Sequence, residues 1–294
     1  MMERAVLAIG GPTASGKTAL ALAVAERFDA VILSADAMQV YRGMNIGTAK
    51  ASPEDQSRVR HVGIDCRDPD EGFDAADFIA LADDLLAAGH RVVVAGGTSF
   101  YLRALQRGLV DTPDVDPVLR AELEAAEDLY EQLQAVDPTL AARLHPNDRV
   151  RLIRGVEVFR QAGVRLSDLQ DAHAQAPDRV KVEGVWLDRP DLDERIDKRV
   201  LDMMDAGYLD EVRTLLARGV SSRLKPMKSL GYRHLCEHLE RGLDLDEAVR
   251  RTQRDTRRFA RKQRTWSNTL RYAPVGDDGL KQALTRAEGL WSGR

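Results

Sequence analysis

Residues 5–26 read AVLAIGGPTASGKTALALAVAE, and the rest of the chain is organised around them. The apolar run at 5–10 predicts a buried strand, and residues 19–26 predict a helix. Between them lies the spacing G-x-x-x-x-G-K-T, in which backbone amides and a helix N-terminus surround an anion. We therefore predict a phosphate-binding loop made of Gly11, Pro12, Thr13, Ala14, Ser15, Gly16, Lys17 and Thr18. Lys17 supplies a charge for the terminal phosphate, and the Thr18 hydroxyl is a candidate Mg²⁺ ligand.

Two further apolar runs, residues 30–34 and 91–95, predict strands that are buried on both faces, as in a parallel sheet covered by helices. Asp36 follows the first run and Thr98 the second. Because open parallel sheets bind ligands at the carboxyl ends of their strands, both are candidate catalytic residues, although Asp36 also suits a helix N-cap. The second run lacks the terminal acidic residue of P-loop ATPases, which argues against a motor or signalling NTPase.

The pattern changes at the turn-rich residues 111–117, after which helical patterns follow one another without a strand. The run 180–187 then alternates and predicts the last strand of the sheet, with Arg189 just beyond its carboxyl end. We predict an α/β fold with a P-loop NTPase-like parallel sheet flanked by helices. Its core spans 1–113 and 182–294, and an all-helical insertion domain spans 114–181.

A basic stripe contrasts with the formal net charge of −4. Arg250, Arg254, Arg257, Arg261 and Arg264 share one face of a helix predicted at 245–266. We interpret this stripe as a surface for a phosphate backbone, with a solvated helix face as the alternative.

The two cysteines, Cys66 and Cys236, lie far apart and have no metal-ligand spacing, which suits a reducing compartment. No apolar run reaches membrane-spanning length, and the first predicted strand leaves no room for a signal peptide. We expect a cytoplasmic protein without a membrane segment, acting as a monomer.

Several short motifs extend the pattern beyond the phosphate-binding loop. They are GPTASGKT at 11–18, SAD at 34–36, QVYRGMNIGTAK at 39–50, GGT at 96–98, YL at 101–102, LHPNDR at 144–149, RID at 195–197, GY at 231–232, ARKQ at 260–263 and TW at 265–266. In this order they resemble the bacterial tRNA dimethylallyltransferases along nearly the whole chain. The chain departs from that family at 37–38 (Ala-Met), 61–63 (His-Val-Gly) and 99–100 (Ser-Phe), which affects tRNA contacts and pocket shape.

The resemblance implies transfer of a dimethylallyl group from dimethylallyl diphosphate to the exocyclic amine of the adenosine 3′ of the anticodon, with release of pyrophosphate. It implies that the loop at 11–18 holds the diphosphate with Mg²⁺ at Thr18, and that Lys17 and Arg189 contact it. Asp36 would accept the proton, and Thr98 would orient the base. The implied tRNA contacts are Asp36, Ala37, Met38, Gln39, Thr98, Arg120, Val150, Arg151, Leu152, Ile153, Arg154, Lys228, Ser229, Leu230, Gly231, Tyr232 and Arg233, with the helical insertion closing over the anticodon stem-loop.

Three alternatives share the phosphate-binding loop. An adenylate prenyltransferase would act on free nucleotide, and a P-loop small-molecule kinase would consume ATP. A non-catalytic RNA-binding module would keep the fold alone. The helical insertion and the basic stripe favour tRNA over free nucleotide, and the presence of Lys17, Thr18, Asp36 and Thr98 argues against a module without catalysis.

Overall fold

The computed structural model of this chain describes residues 4–276 and 278–292. Within them, six strands form one parallel sheet with the order β3-β2-β4-β1-β5-β6. The strands are β1 (Ala5–Gly10), β2 (Val31–Ser34), β3 (His61–Val62), β4 (Val92–Gly96), β5 (Lys181–Leu187) and β6 (Ala273–Val275). The predicted parallel α/β core is confirmed.

Helices occupy most of the remaining described chain. They are α1 (Lys17–Phe28), α2 (Pro53–Arg58), α3 (Ala75–Ala87), α4 (Ser99–Arg107), α5 (Pro117–Ala125), α6 (Leu129–Val136), α7 (Pro138–Ala141), α8 (Arg149–Ala162), α9 (Leu166–Gln175), α10 (Leu192–Asp205), α11 (Tyr208–Ala217), α12 (Tyr232–Arg241), α13 (Leu245–Ser267) and α14 (Gly279–Trp291), with a 3₁₀ turn at Pro226–Lys228. Among the residues described, no helix has both the length and the apolar character needed to cross a bilayer.

The sheet is buried on both faces, as its continuous apolar strands predict. Along β1, Val6 and Ala8 pack into a core with residues of α3, α4, α11 and α12. Their neighbours Leu7 and Ile9 point to the opposite face and pack with residues of α1 and α14. Since every residue of β1 is buried, this central strand fixes the position of the loop that follows it.

The chain divides into two compact units. One contains the sheet and comprises the described residues up to Gly108 and from Arg179 onward; the other is Leu109–Asp178. The second unit consists of α5–α9 around its own core, which includes Leu123, Leu133 and Leu152. The segment predicted at 114–181 thus corresponds to a unit that spans Leu109–Asp178.

The strand predicted at 180–187 is confirmed as β5, but it is not the last strand, because β6 pairs in parallel with it at the edge of the sheet. β6 has three residues, so a period-2 pattern is too short to detect. Its Pro274 lacks an N–H group and is tolerated because the strand lies at an edge.

Candidate active site

A cavity of about 1170 Å³ opens at the carboxyl ends of β1, β2 and β4. Its lining includes Lys17, Thr18, Asp36 and Thr98, which the sequence analysis selected from separate motifs. All of its lining residues belong to the unit that carries the sheet. The parallel order of the strands explains this convergence, since their carboxyl ends meet at one edge of the sheet.

The loop between β1 and α1 has the backbone shape that an anion cradle requires. Gly16, the residue before α1, has a φ of 99°, a conformation open to glycine at little cost. Ala14 is also left-handed, with a φ of 64°, which is unfavourable for a residue with a side chain. Its carbonyl accepts a hydrogen bond from Nε of Arg195 at 2.9 Å, so α10 stabilises the strained turn.

Lys17 lies at the first turn of α1, where its Nζ donates a hydrogen bond to the Pro12 carbonyl at 2.7 Å. Burial and the positive charge of Arg199 lower the pKa of Lys17 to about 8, while the charge of Asp36 opposes this shift. Lys17 is therefore a half-buried ammonium group in the cavity wall, which suits the binding of a polyanion.

Gln263 of α13 connects the loop to the end of β4. Its Oε1 accepts a hydrogen bond from the Thr13 amide at 2.9 Å, and its Nε2 donates to the Gly97 carbonyl at 3.0 Å. A Cβ at residue 97 would collide with the Gln263 amide, so the glycine permits this close approach. Gln263 ends the ARKQ motif at 260–263, from which no role for its side chain was predicted.

Asp36 and Thr98 lie on adjacent loops, since β2 and β4 are neighbours in the sheet. The Ala37 amide donates to Thr98 Oγ1 at 3.2 Å, and the Met38 amide donates to Asp36 Oδ1 at 2.8 Å. Among the described residues, the other carboxylate oxygen of Asp36 makes no hydrogen bond. One oxygen is thus held by the protein, and the second is available to a ligand in the cavity.

The arginines that line this cavity from α10 are Arg195 and Arg199. Burial lowers the pKa of Arg199, and the charge of Asp36 raises it. Arg189, predicted from the resemblance to contact the diphosphate, does not line the cavity, and its Nε donates to Asp191 Oδ1 at 3.4 Å. The cavity is therefore lined by Arg195 and Arg199 of α10 and not by Arg189, which sequence reasoning did not anticipate.

Gln39, a predicted tRNA contact, has both ends of its amide occupied inside the protein. Its Oε1 accepts from the Ser34 hydroxyl, and its Nε2 donates to the carbonyls of Thr48 and Ala49. Its side chain therefore holds the 41–50 loop, whereas Ala37 and Met38 beside it are half-buried in the cavity wall.

The predicted contact segment 228–233 also borders the cavity, which it lines with Lys228, Ser229, Leu230, Tyr232 and Arg233. Lys228 is exposed, whereas Tyr232 is buried and donates from its hydroxyl to Glu211 Oε1 at 2.6 Å. Glu211 also accepts from the Asn45, Ile46 and Gly47 amides. Tyr232 thus supports the cavity wall.

The remaining predicted tRNA contacts lie in the helical unit. Arg120 and Arg154 both donate to Glu157, which is fully buried. Burial alone would raise the pKa of Glu157, but these two hydrogen bonds lower it. Leu152 and Ile153 belong to the core of the unit, so within 150–154 Val150 and Arg151 are the most exposed side chains.

The basic stripe of α13 is not a free anion-binding surface. Arg257 ion-pairs with Asp197 and Arg261 with Asp193, both on α10. Arg264 makes a two-pronged ion pair with Asp188, Arg254 pairs with Asp255, and Arg250 pairs with Glu247. Two of the arginines pair with carboxylates of α13 itself, whereas Arg257, Arg261 and Arg264 pair with carboxylates that lie outside this helix, so the predicted stripe is largely neutralised.

Three large aromatic side chains line the cavity while remaining exposed to solvent. Phe100, Phe259 and Trp266 are 47%, 42% and 39% exposed. Among the described residues none of the three stacks on another ring. Such rings offer faces to a planar ligand.

Comparison with known proteins identifies relatives over most of the chain. The family model described as IPP transferase matches residues 39–270. The tRNA dimethylallyltransferase 1 of Syntrophotalea carbinolica is 47% identical over 277 residues, covering 90% of this chain and 88% of that protein. The tRNA dimethylallyltransferase 2 of Geotalea uraniireducens is 47% identical over 276 residues, covering 90% and 89%.

Solved structures match over nearly the full length. The full-length tRNA isopentenylpyrophosphate transferase of Bacillus halodurans has a TM-score of 0.71 at 29% identity, covering 99% of both chains. A eukaryotic dimethylallyltransferase captured acting on tRNA has a TM-score of 0.83 at 23% identity, covering 99% of this chain and 77% of that one. The second similarity supports the fold alone.

Proposed function

Because this chain belongs to the IPP transferase family, we propose that it transfers a dimethylallyl group from dimethylallyl diphosphate to the exocyclic amine of the adenosine 3′ of the anticodon. It is a tRNA prenyltransferase, as the family and its named relatives indicate. The identity of the donor, the acceptor atom and the role of each residue are our proposal.

One observation carries this proposal: two half-buried cations, Lys17 and Arg199, share a cavity with the carboxylate of Asp36. The charge of Asp36 raises the pKa of both Lys17 and Arg199, so Asp36 lies within electrostatic reach of both. The cations suit an anionic leaving group, and the carboxylate suits a group that loses a proton.

In the proposed reaction, the amine nitrogen forms a bond to the allylic carbon as the carbon–oxygen bond to the diphosphate breaks. The electrons of the broken bond leave with pyrophosphate, whose growing charge is stabilised by Lys17, Arg199 and the backbone amides of Ala14 and Gly16. The nitrogen loses a proton to the available oxygen of Asp36. Thr98, which fixes the Ala37 amide, positions Asp36 and contacts the adenine.

The residues present suit a Mg²⁺ ion that arrives with the diphosphate. Thr18 lines the cavity, and the described residues contain no cluster of three or more His, Cys, Asp or Glu side chains that would form a dedicated metal cage. Mg²⁺ usually keeps several waters and combines one or two protein oxygens with substrate phosphates. We propose that Thr18 holds it, and when bound it neutralises charge on the diphosphate.

The exposed rings of Phe100, Phe259 and Trp266 support an RNA acceptor, because unstacked bases of a loop bind to aromatic faces. The adenosine must leave its stack to enter the cavity, which costs a few kcal/mol. We propose that the enzyme acts as a monomer, in the cytoplasm.

Acceptor substitution tests this proposal. The protein is incubated with dimethylallyl diphosphate, Mg²⁺ and an unmodified anticodon stem-loop RNA, and prenylated nucleoside is measured by mass spectrometry. We expect product with adenosine at the target position and none with purine riboside, which lacks the exocyclic amine. Product from free AMP at a comparable rate would favour the adenylate prenyltransferase, and phosphorylated product with ATP would favour the kinase.

A further inference from the structure

A second cavity, of about 620 Å³, lies beside α11 and α12 in the unit that carries the sheet. We call it the α11–α12 groove. Its lining comprises Leu216, Gly219, Val220, Ser221, Ser222, Arg223, Lys228, Arg233, Cys236, Glu237, Glu240 and Arg241. The groove is therefore lined by four cationic side chains, two serines and two carboxylates.

Most of the positive charge in this groove is not neutralised. Arg223, Lys228 and Arg241 are exposed, and within the described residues their side chains make no ion pair or hydrogen bond. Of the two carboxylates, Glu237 pairs with Arg251 at 3.5 Å. This arrangement differs from that of the α13 arginines, whose charges face carboxylates.

The groove continues into the active-site cavity. Lys228 and Arg233 line both spaces, so a cationic path leads from the groove to the site that contains Asp36. Arg233 pairs with Asp255, which leaves Lys228 as the available cation at the junction. An RNA that places one nucleotide in the cavity must lay its adjoining backbone across the surface around the opening.

We propose that the α11–α12 groove binds phosphodiester groups of the tRNA substrate next to the loop that carries the target adenosine, with Arg223 and Arg241 as its phosphate-binding residues. This proposal rests on the proposed function. Arginine and serine side chains are common donors to phosphate oxygens. Such contacts fix the position of the RNA without reading its sequence, and they make binding depend on salt.

Salt-dependent binding tests the groove. The dissociation constant of a fluorescent, unmodified anticodon stem-loop is measured by anisotropy across a range of NaCl concentrations for wild type, Arg223→Ala, Arg241→Ala and the double variant. We expect the slope of log K against log[NaCl] to fall by about one for each arginine removed. Arg223→Lys and Arg241→Lys, which keep the charge, should retain most of the slope.

Arg271→Ala is the matched control, since Arg271 is exposed and precedes β6, away from the carboxyl edge of the sheet. It should leave the slope unchanged, and thermal unfolding should show that all variants are folded. If the Arg223→Ala/Arg241→Ala double variant keeps the same salt slope as Arg271→Ala, the proposal is overturned.

If the groove instead binds free anions, inorganic phosphate at matched ionic strength should compete with the stem-loop RNA for the wild-type protein but not for the double variant. The salt slope of RNA binding should then be the same in both proteins. That result would also overturn the proposal. Prenylation by the wild type, assayed on the same preparation, separates a failure of the groove from a failure of the proposed function.

Discussion

Arg199 of α10 lies within electrostatic reach of Lys17 of α1, and its charge adds to burial, the larger cause, in lowering the pKa of Lys17 to about 8. Lys17 therefore loses its proton, and its attraction for a diphosphate, as the pH rises through about 8. The coupling also joins two helices that are far apart in the sequence into one anion site.

This coupling predicts the pH dependence of donor use. In wild type, kcat/KM for dimethylallyl diphosphate should fall above pH of about 8, because the ammonium form of Lys17 is lost. Arg199→Gln removes a positive charge and raises the pKa of Lys17, so the fall should move to higher pH while kcat/KM is lower throughout. Arg189→Gln, outside the cavity, should not move the inflection. An unchanged inflection in Arg199→Gln would contradict the coupling.

Asp36→Asn should lower kcat by a factor of about 10² to 10⁴, because the amide cannot accept the proton from the adenine amine. The asparagine oxygen can still accept the hydrogen bond from the Met38 amide, so the loop should keep its shape. Single-turnover rates and the dissociation constant of the stem-loop RNA separate chemistry from binding. Near-normal turnover would remove Asp36 as the base.

Gln263→Leu should weaken donor binding, because the Thr13 amide and the Gly97 carbonyl both lose their partner. We expect the KM for dimethylallyl diphosphate to rise about tenfold, equivalent to about 1.4 kcal/mol. Affinity for the stem-loop RNA should change little. Gln161→Leu makes the same chemical change at an exposed position of the helical unit and serves as the control. An unaltered KM would show that the loop does not depend on α13.

The ion pair between Arg261 and Asp193, at 3.3 Å, predicts that removing both partners leaves RNA binding unchanged. Both side chains are more than half exposed, so the pair contributes only about 0 to 1 kcal/mol to stability. The double variant Arg261→Ala/Asp193→Ala removes one positive and one negative charge and so keeps the net charge of the protein. It should bind the stem-loop RNA with the wild-type dissociation constant and salt slope. A reduced slope would restore this arginine as a phosphate contact.

The sequence predicted the parts of the site that local pattern determines. The loop at 11–18 is recognisable because strand, glycine spacing and helix follow one another directly, and Asp36 and Thr98 because each follows a buried strand. These features need no knowledge of distant packing beyond the rule that parallel strands end at one edge.

The parts that the sequence did not predict depend on contacts between distant segments. Gln263 is 250 positions from Thr13, and Arg195 reaches the Ala14 carbonyl from 181 positions away. Arg257 and Arg261 of α13 show a related effect, since the carboxylates that neutralise them lie on another helix, α10. A charge pattern on one helix does not determine what faces it.

The central claim is that the phosphate-binding loop holds the leaving group of a prenyl transfer. The most direct test is one reaction without ATP, containing wild-type protein, unmodified tRNA, dimethylallyl diphosphate and Mg²⁺, in which prenylated adenosine and pyrophosphate are both quantified. The account predicts that both form in equal amounts and that Lys17→Ala abolishes both together. Absence of prenylated adenosine, or its formation only when ATP is added, would contradict the account.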